Sequence, residues 1–506
     1  MRKVFKRVKA IIVILFLLVF IPTLLIHARF TGFEGGRIVI DDGRLVAVAD
    51  MGYRFVGWES GEEDSSIPLF SGDSIMSVPL FEPERTDLPT VFITTEGEAP
   101  VTTKENYVNC TVSLIGADGG VENESARIKL RGNSTLAQDK KPYKLKFDEK
   151  VDLFCEGKAK EWTLLANHMD YSLSRNYLVY SVAEVLDNLK YTTSVHFVDV
   201  YLNGRYDGVY TLCEQVETGK NRVDIPDDLD VTDTGYLVEM DARATVEGVE
   251  NRDWFSIDFG QPYAIKSPDT EDEQFTSAHV EFIKNYMSLA REALVSGEWS
   301  RVLEYLDVKS FVDGYIIDEL FKPCDIGFSS FYMYKDAGGK LCRGPIWDYD
   351  LSSGNSQPPA SNDTSAFYTA AVNVWYAELL KYDQFRTMIG TRLHQIGDDI
   401  EARLDSCFEE IYSIKSCLER NFERWAILGT FTMEWNSADA CAIDNYDGQL
   451  SFLRNWMTDS YATLMAEYSR EISLADRLQE IMNSHRPPFK LRIPRGQIKL
   501  QNNSDS

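Results

Sequence analysis

The stretch Cys324-Asp-Ile-Gly-Phe-Ser-Ser-Phe-Tyr-Met-Tyr-Lys-Asp-Ala-Gly-Gly-Lys-Leu-Cys-Arg-Gly-Pro-Ile-Trp-Asp348-Tyr-Asp350 decides how this chain is read. A helix-like segment leads into Asp325. The aromatic run Phe331 to Lys335 reads as a strand and Asp336-Ala-Gly-Gly as a turn. A second strand is expected to follow and to deliver Asp348 and Asp350. Residues two apart on an extended strand leave the same face, so the two carboxylates would share a side. Aspartate is depleted in strand interiors, and two on one face at a strand end call for a function. A hard divalent cation supplies one, because Mg²⁺ takes a few carboxylates and leaves positions open for phosphate oxygens. Asp325, ahead of the hairpin, would return beside the pair as a base. The plainer alternative is a solvated strand end with a turn-forming aspartate before it.

Phosphoryl transfer is mostly positioning and charge neutralisation, so cations are needed as well. Arg131-Gly-Asn-Ser-Thr135 could turn tightly over phosphates with its backbone N–H groups, although it is not a Walker loop. Lys141, Lys144 and Lys146 follow. Tyr143-Lys-Leu-Lys-Phe147 alternates, which puts Lys144 and Lys146 on one strand face.

The order helix, Asp, hairpin, Asp is the order of parts in protein kinases, although HRD and DFG are absent as written. Six phrases carry a closer resemblance: Leu130-Arg-Gly-Asn-Ser-Thr, Lys141-Pro-Tyr-Lys-Leu-Lys-Phe, Leu165-Ala-Asn-His-Met-Asp-Tyr-Ser-Leu-Ser-Arg-Asn, Val200-Tyr-Leu-Asn-Gly-Arg-Tyr-Asp-Gly-Val-Tyr-Thr-Leu-Cys-Glu-Gln, Gly235-Tyr-Leu-Val-Glu-Met-Asp and Gly344-Pro-Ile-Trp-Asp-Tyr-Asp. In this order, from about Leu88 to Asn355, they resemble the CotH kinase family (spore coat protein H), distant relatives of protein kinases. The resemblance implies an α+β, two-lobed kinase-like domain with a β-rich N-lobe and a helical C-lobe. It implies ATP and Mg²⁺ (or Mn²⁺) as cofactors and Ser or Thr side chains of a protein as substrate.

The resemblance also suggests roles. Asp325 would be the catalytic base or hydroxyl-orienting residue. Asp348 would be the principal metal ligand and Asp350 the second. Lys146 would be the phosphate-binding lysine, by analogy with the V-A-I-K strand, with Lys144 as its fallback. Arg131 would lie over the phosphates, and Glu214 would close a hairpin where a hinge holds adenine. Two departures stand out. Kinases carry a metal-binding Asn five residues after the catalytic Asp, and Ser330 occupies that position here. The helix after Asn167 offers no obvious Glu to the lysine; Arg175 and Asn176 carry the family's pattern there, as a structural or phosphate contact.

The chain has 506 residues and a net charge of −27, which argues against nucleic acid as a partner. Arg2, Lys3, Lys6, Arg7 and Lys9 precede an apolar run from Ile11 to Ile26. Residues 1–29 therefore read as a signal anchor with its basic end in the cytoplasm, a single membrane span with the body outside. A cleaved signal peptide, giving a secreted protein, is the alternative; both export the body.

Residues 30–87 read as a small β-rich spacer, and Gly52-Tyr-Arg-Phe-Val-Gly-Trp58 resembles one repeat of the InlB B type. Residues 88–484 are the expected kinase-like domain, and 485–506 a basic tail. Within the domain, residues 88–270 read as strands with one helix over 172–188, and Asn203-Gly204 marks a hairpin. Residues 271–320 and 365–482 read as mainly helical. None of the eight cysteines has CxxC spacing; Cys324 with Cys342, and Cys407 with Cys417, are the pairs that could approach.

The expected activity is that of an exported protein kinase. The alternatives are a catalytically inactive kinase-like binding or adhesion module, and a carbohydrate hydrolase using Asp325 and Asp348 as paired acids.

Overall fold

A computed structural model describes residues 33–41, 44–50, 52–68, 78–83, 87–357 and 359–468. The expected anchor over 1–29 and the tail over 485–506 lie outside the described residues. Among the described residues, no helix is long and apolar enough to cross a membrane.

Five short strands come first: β1 (Gly36–Asp41), β2 (Arg44–Ala49), β3 (Tyr53–Trp58), β4 (Ser66–Pro68) and β5 (Pro79–Pro83). They form the sheet β1-β2-β4 and the pair β3-β5. Ile38, Leu45, Trp58 and Ile67 make a small separate core. This unit docks at Tyr201. The Tyr201 hydroxyl donates to the Gly52 carbonyl, and the Tyr53 ring meets Tyr201 edge-on at 5.3 Å.

Seven strands then close a barrel: β6 (Thr90–Thr95), β7 (Val108–Ile115), β8 (Val121–Leu130), β9 (Tyr143–Val151), β10 (Ala159–Leu165), β11 (Val195–Leu202) and β12 (Arg205–Glu214). Their order around the barrel is β10-β12-β11-β6-β7-β8-β9. Alternation fills the inside with Val112, Ile128, Leu145, Leu164, Val200 and Leu212. The β11–β12 hairpin turns at Asn203 and Gly204, both at positive φ (51° and 72°), as that dipeptide predicts.

The helix α1 (Arg175–Ala183) lies between β10 and β11 in sequence, and all nine of its residues are buried. It is shorter than the expected 172–188. Asp170 caps its start, accepting from the N–H groups of Ser172 (2.9 Å) and Arg175 (2.8 Å). A helix buried on every face must sit inside the molecule rather than on its surface.

A five-stranded sheet comes next, with β13 (Tyr236–Met240), β14 (Trp254–Phe255), β15 (Tyr263–Ser267), β16 (Phe331–Lys335) and β17 (Leu341–Arg343) in the order β14-β15-β13-β16-β17. The longer helices around it are α2 (Ser277–Val295), α3 (Val308–Phe321), α4 (Asp383–Ser413), α5 (Lys415–Arg424) and α6 (Tyr446–Tyr468). One large apolar cluster joins α1, this sheet and the helices through residues such as Leu178, Leu237, Ile316, Phe331, Trp375 and Leu450. The class is mixed α+β, as the sequence leads one to expect.

The hairpin after Asp325 forms, with Met333 opposite Arg343 and Lys335 opposite Leu341. Its second strand stops at Arg343, however, so Asp348 and Asp350 are not on a strand. Asp348 sits at φ 72° in the left-handed region, where two-residue alternation no longer applies. The physical reason is local. Pro345 has no N–H to continue a ladder. The buried Arg343 guanidinium also takes the carbonyls of Tyr332 (2.9 Å), Gly344 (3.2 Å) and Pro345 (3.3 Å).

All eight cysteines are free thiols. The Cys324 thiol faces Asp325 Oδ1 at 3.5 Å and that of Cys342 faces the Lys340 carbonyl at 3.5 Å, so no disulfide staples the hairpin.

Candidate active site

Helix α3 ends at Phe321, and Lys322 adopts φ 50° as its left-handed cap. The chain then turns at Asp325, whose carbonyl accepts from the N–H groups of Phe328 (2.6 Å) and Ser329 (2.9 Å). The Asp325 carboxyl is half-buried; burial first, and then the Asp348 carboxylate, push its pKa up. Ser330, which stands where kinases carry a metal-binding Asn, donates its hydroxyl to Asp348 Oδ2 at 3.2 Å. Its backbone N–H donates to Glu239 Oε1 at 3.1 Å.

Asp348 is exposed, whereas Asp350 is buried. Burial drives the Asp350 pKa well above its usual value, and Asp348, Asp170 and Asp325 drive it further. The three aspartates picked from the sequence are therefore close enough to feel one another, and Asp348 and Asp350 line a single cleft.

Helix α1 holds the backbone that carries them. The Tyr349 N–H donates to Asn176 Oδ1 at 2.9 Å, and the Asp348 N–H donates to the Tyr180 hydroxyl at 3.3 Å. Arg175, fully buried, donates to the carbonyls of Ser352 (2.9 Å) and Ser353 (3.0 Å) and pairs with Asp170 at 2.5 Å. Asn176 also donates to Asn167 Oδ1 (3.2 Å), and Asn167 to Thr211 Oγ1 (2.6 Å), which ties the same backbone to the barrel. From the other side, Asp318 of α3 accepts from the hydroxyls of Tyr349 and Tyr376 and pairs with Arg343 at 3.3 Å. Sequence reading takes Arg175 and Asn176 as a structural or phosphate contact, and the contacts found are structural ones; it misses Tyr180 and Asp318. The one available signal was the five-residue Asp170–Arg175 spacing at a helix start.

The cleft encloses about 30 Å³ and is roofed by Arg131, Thr135 and Pro142. That is little more than room for water. The Arg131 guanidinium stacks over the Trp347 ring at 5.4 Å, and Gly132 turns at φ 87°. Thr135 Oγ1 is buried and has no hydrogen-bond partner among the described residues.

Lys144 and Lys146 lie elsewhere. They project from the outer face of β9, as the alternation predicts, and both pair with Glu161 of β10, Lys146 at 2.7 Å. Lys146 lines a cavity with Glu217 and Arg222, and neither lysine lines the cleft at Asp348. Glu214 ends β12 buried against Arg222 and accepts from the Ser194 N–H at 3.2 Å. Burial, opposed by Arg222, pushes its carboxyl up to about 7.

Asp241 and Arg243, an ion pair at 3.2 Å, also act on the Asp325 carboxyl. Asp241 stands at the end of one of the quoted phrases, yet nothing in the pattern separates it from a strand-end acid.

Among the described residues, no three His, Cys, Asp or Glu side chains meet as a ready set of metal ligands. The donor chemistry nevertheless fits a hard cation. Asp350 is a buried carboxyl whose charged neighbours are carboxylates, and a divalent ion would offset that repulsion. Asp348 and Asp350 are the residues that would hold it.

The family described as CotH kinase protein matches residues 128–464. The chain belongs to the CotH kinase family. A search of curated proteins finds no match.

Proposed function

We propose that this CotH kinase family member is an exported, ATP- and Mg²⁺-dependent (or Mn²⁺-dependent) protein kinase that phosphorylates Ser or Thr of surface or spore-coat-like proteins. The observation that carries the reading is that Asp325 and Asp350, on either side of one short hairpin, are each pushed up first by burial and then by the Asp348 carboxylate. In this reading the barrel with α1 is the N-lobe, and the five-stranded sheet with its helices is the C-lobe. The turn after β8 lies over the carboxylates, and phosphates would enter between them.

Asp348 and Asp350 would hold the cation, which neutralises phosphate charge when bound. Asp325 would orient the acceptor hydroxyl and take its proton. A carboxyl raised by burial is a stronger base than a solvated one. Arg131 is the cation that lines the cleft with Asp348 and Asp350. Lys144 and Lys146 would reach a phosphate only by releasing Glu161. The basic, apolar N-terminus supports export with the body outside the membrane, and the net charge of −27 disfavours nucleic acid.

One observation favours a second reading, a kinase-like binding or adhesion module without turnover: the cleft encloses only about 30 Å³. Turnover would need more room at Asp348 and Asp350 than this cleft gives. Incubating the full-length protein with labelled ATP and Mg²⁺ or Mn²⁺ separates the two. Label transfer to the protein itself or to an added Ser/Thr-rich protein, lost in Asp348→Asn, supports the kinase. Absence of transfer with either metal and every acceptor leaves the binding module.

A further inference from the structure

Strand β13 ends at Met240, and the chain then turns beside the segment that carries Asp325. Two hydrogen bonds tie the two together. The Ala242 N–H donates to the Phe328 carbonyl at 3.0 Å, and Glu239 accepts from the Ser330 N–H at 3.1 Å. Arg243 follows Ala242, so the backbone that places Asp325 also places Arg243. On the barrel side, Lys104 donates to Asn133 Oδ1 at 2.9 Å and lies 3.8 Å from Glu247. That bridge sets the 241–247 turn against the Arg131–Thr135 turn that roofs the cleft.

The Arg243 side chain is 34% exposed, whereas that of Asp241 is 4% exposed. Asp241 Oδ1 holds it at its base, accepting from the Arg243 main-chain N–H at 3.0 Å and from Nε at 3.2 Å. Nη1 and Nη2 make no hydrogen bond among the described residues, and neither is enclosed. The guanidinium is thus anchored at one nitrogen and open to solvent at the other two. Its charge acts on both carboxylates proposed for transfer. Burial, then Asp348, push the Asp325 carboxyl up, and Arg243 opposes them. Burial works against the charge of Arg243 itself, but Asp241, then Asp348 and Glu239, more than reverse this. Of the other cations here, Lys266 pairs with Glu239 at 2.8 Å, and Arg131 stacks over Trp347 on the cleft side.

Protein kinases neutralise the transferring phosphate with two metal ions, and the catalytic-loop Asn helps to hold them. Ser330 takes the place of that Asn, and its hydroxyl is donated to Asp348 Oδ2 at 3.2 Å. A guanidinium at this edge repels a second divalent ion. It also supplies a positive charge, and its paired N–H groups match phosphate oxygens.

We propose that Arg243 is the second cation of this site, binding the terminal phosphate of a nucleoside triphosphate between Asp325 and Asp348, with a single divalent ion as its partner. The inference rests on the reading of Asp348 and Asp350 as metal ligands. In transfer, the acceptor oxygen bonds to the γ-phosphorus as the bond from that phosphorus to the β–γ bridging oxygen breaks. The bridging oxygen leaves with the electron pair on ADP, and the acceptor proton passes to the Asp325 carboxylate. Arg243 neutralises the charge on the phosphoryl group between them.

Calorimetry on the full-length protein with Mn²⁺ tests this without turnover, using ADP and the non-hydrolysable β,γ-imido analogue of ATP as probes. The wild type should bind the analogue more tightly than ADP, and electron paramagnetic resonance should count one Mn²⁺ per chain. Arg243→Gln should bind ADP and Mn²⁺ as the wild type does but the analogue ~10-fold or more weakly, the scale of a charge-assisted contact. Arg243→Lys should fall between them, because lysine keeps the charge but not the fork. In the transfer assay, Arg243→Gln should lose ~10²-fold or more in kcat. Two Mn²⁺ per chain, no preference for the analogue in the wild type, or an unchanged preference in Arg243→Gln would overturn the proposal and leave the carboxylate site standing. Equal losses for both nucleotides in Arg243→Gln, with a lowered melting temperature, would make Arg243 structural. Failure of the wild type to bind either nucleotide would instead remove the kinase reading, and Arg243 with it.

Discussion

The main-chain N–H of Tyr349 donates to the side-chain oxygen of Asn176 at 2.9 Å, joining two residues 173 positions apart. Through this bond, a helix packed beneath the barrel sets the course of the segment carrying both proposed metal ligands. Asn176 is 4% exposed, and loss of its side chain takes away the partner of the Tyr349 N–H.

Asn176→Ala should therefore cost ~1–3 kcal/mol of stability, the price of an orphaned buried donor. If Asn176 positions the Asp348 segment, phosphotransfer should fall further than stability explains, by up to ~10²-fold, the scale of an ångström's misplacement. Separate measurement of kcat and of KM for the metal–nucleotide complex checks this. A drop in melting temperature with unchanged kinetics would make the contact purely structural.

Asp348→Asn should abolish Mg²⁺-dependent nucleotide binding while the melting temperature stays close to that of the wild type. The side chain is nearly isosteric, can still accept from the Ser330 hydroxyl, and loses only the charge a cation needs. Unchanged metal affinity by calorimetry would remove Asp348 from the ligand set.

Asp325→Asn should leave metal and nucleotide binding near normal while transfer falls by ~10²-fold or more, as expected for a positioned proton acceptor. The Asp325 carbonyl, not its carboxyl, accepts from Phe328 and Ser329, so the turn itself should survive the substitution. Transfer retained in a protein of lowered stability would show a turn residue rather than a base.

His168 should make stability depend on pH. It is 6% exposed, and burial, helped by Lys140, lowers its pKa from 6.5 to about 4. The folded state therefore favours the neutral ring. Its contribution is fully present above pH 6.5 and is lost as pH falls from 6.5 toward 4. A depression of that size corresponds to about 3 kcal/mol. His168→Phe keeps a ring against Trp425, which His168 meets edge-on at 5.8 Å. The stability difference between wild type and variant, followed by urea titration from pH 7.5 to 4, should shrink or reverse in this window. A difference independent of pH would mean that His168 takes up a proton as readily in the folded state as in the unfolded chain.

The features legible in the bare chain are local or short in range. Period-two alternation placed the strands, Asn203-Gly204 placed a hairpin, and the order of phrases identified the family. Aspartates at 325, 348 and 350 could be chosen because carboxylates around a hairpin are rare without a purpose. Lys144 and Lys146 were rightly put on one face of one strand. Which way that face looks was not legible, because it depends on how seven strands close into a barrel and on Glu161 arriving from the neighbouring strand.

The site itself was settled by long-range contacts, and for the same reason. Asp348 and Asp350 come together not through strand alternation but because Arg343 and Pro345 end the strand, and because Asn176, Tyr180 and Arg175 hold the following backbone from far along the chain. Hydrogen bonds of this kind join ordinary polar residues at separations that no periodicity records. The role of the Arg243 guanidinium is likewise invisible in sequence, where it is one more basic residue after a strand. Its place beside Asp325 and Asp348 exists only once β13 pairs with β16 and the Ala242 N–H reaches the Phe328 carbonyl.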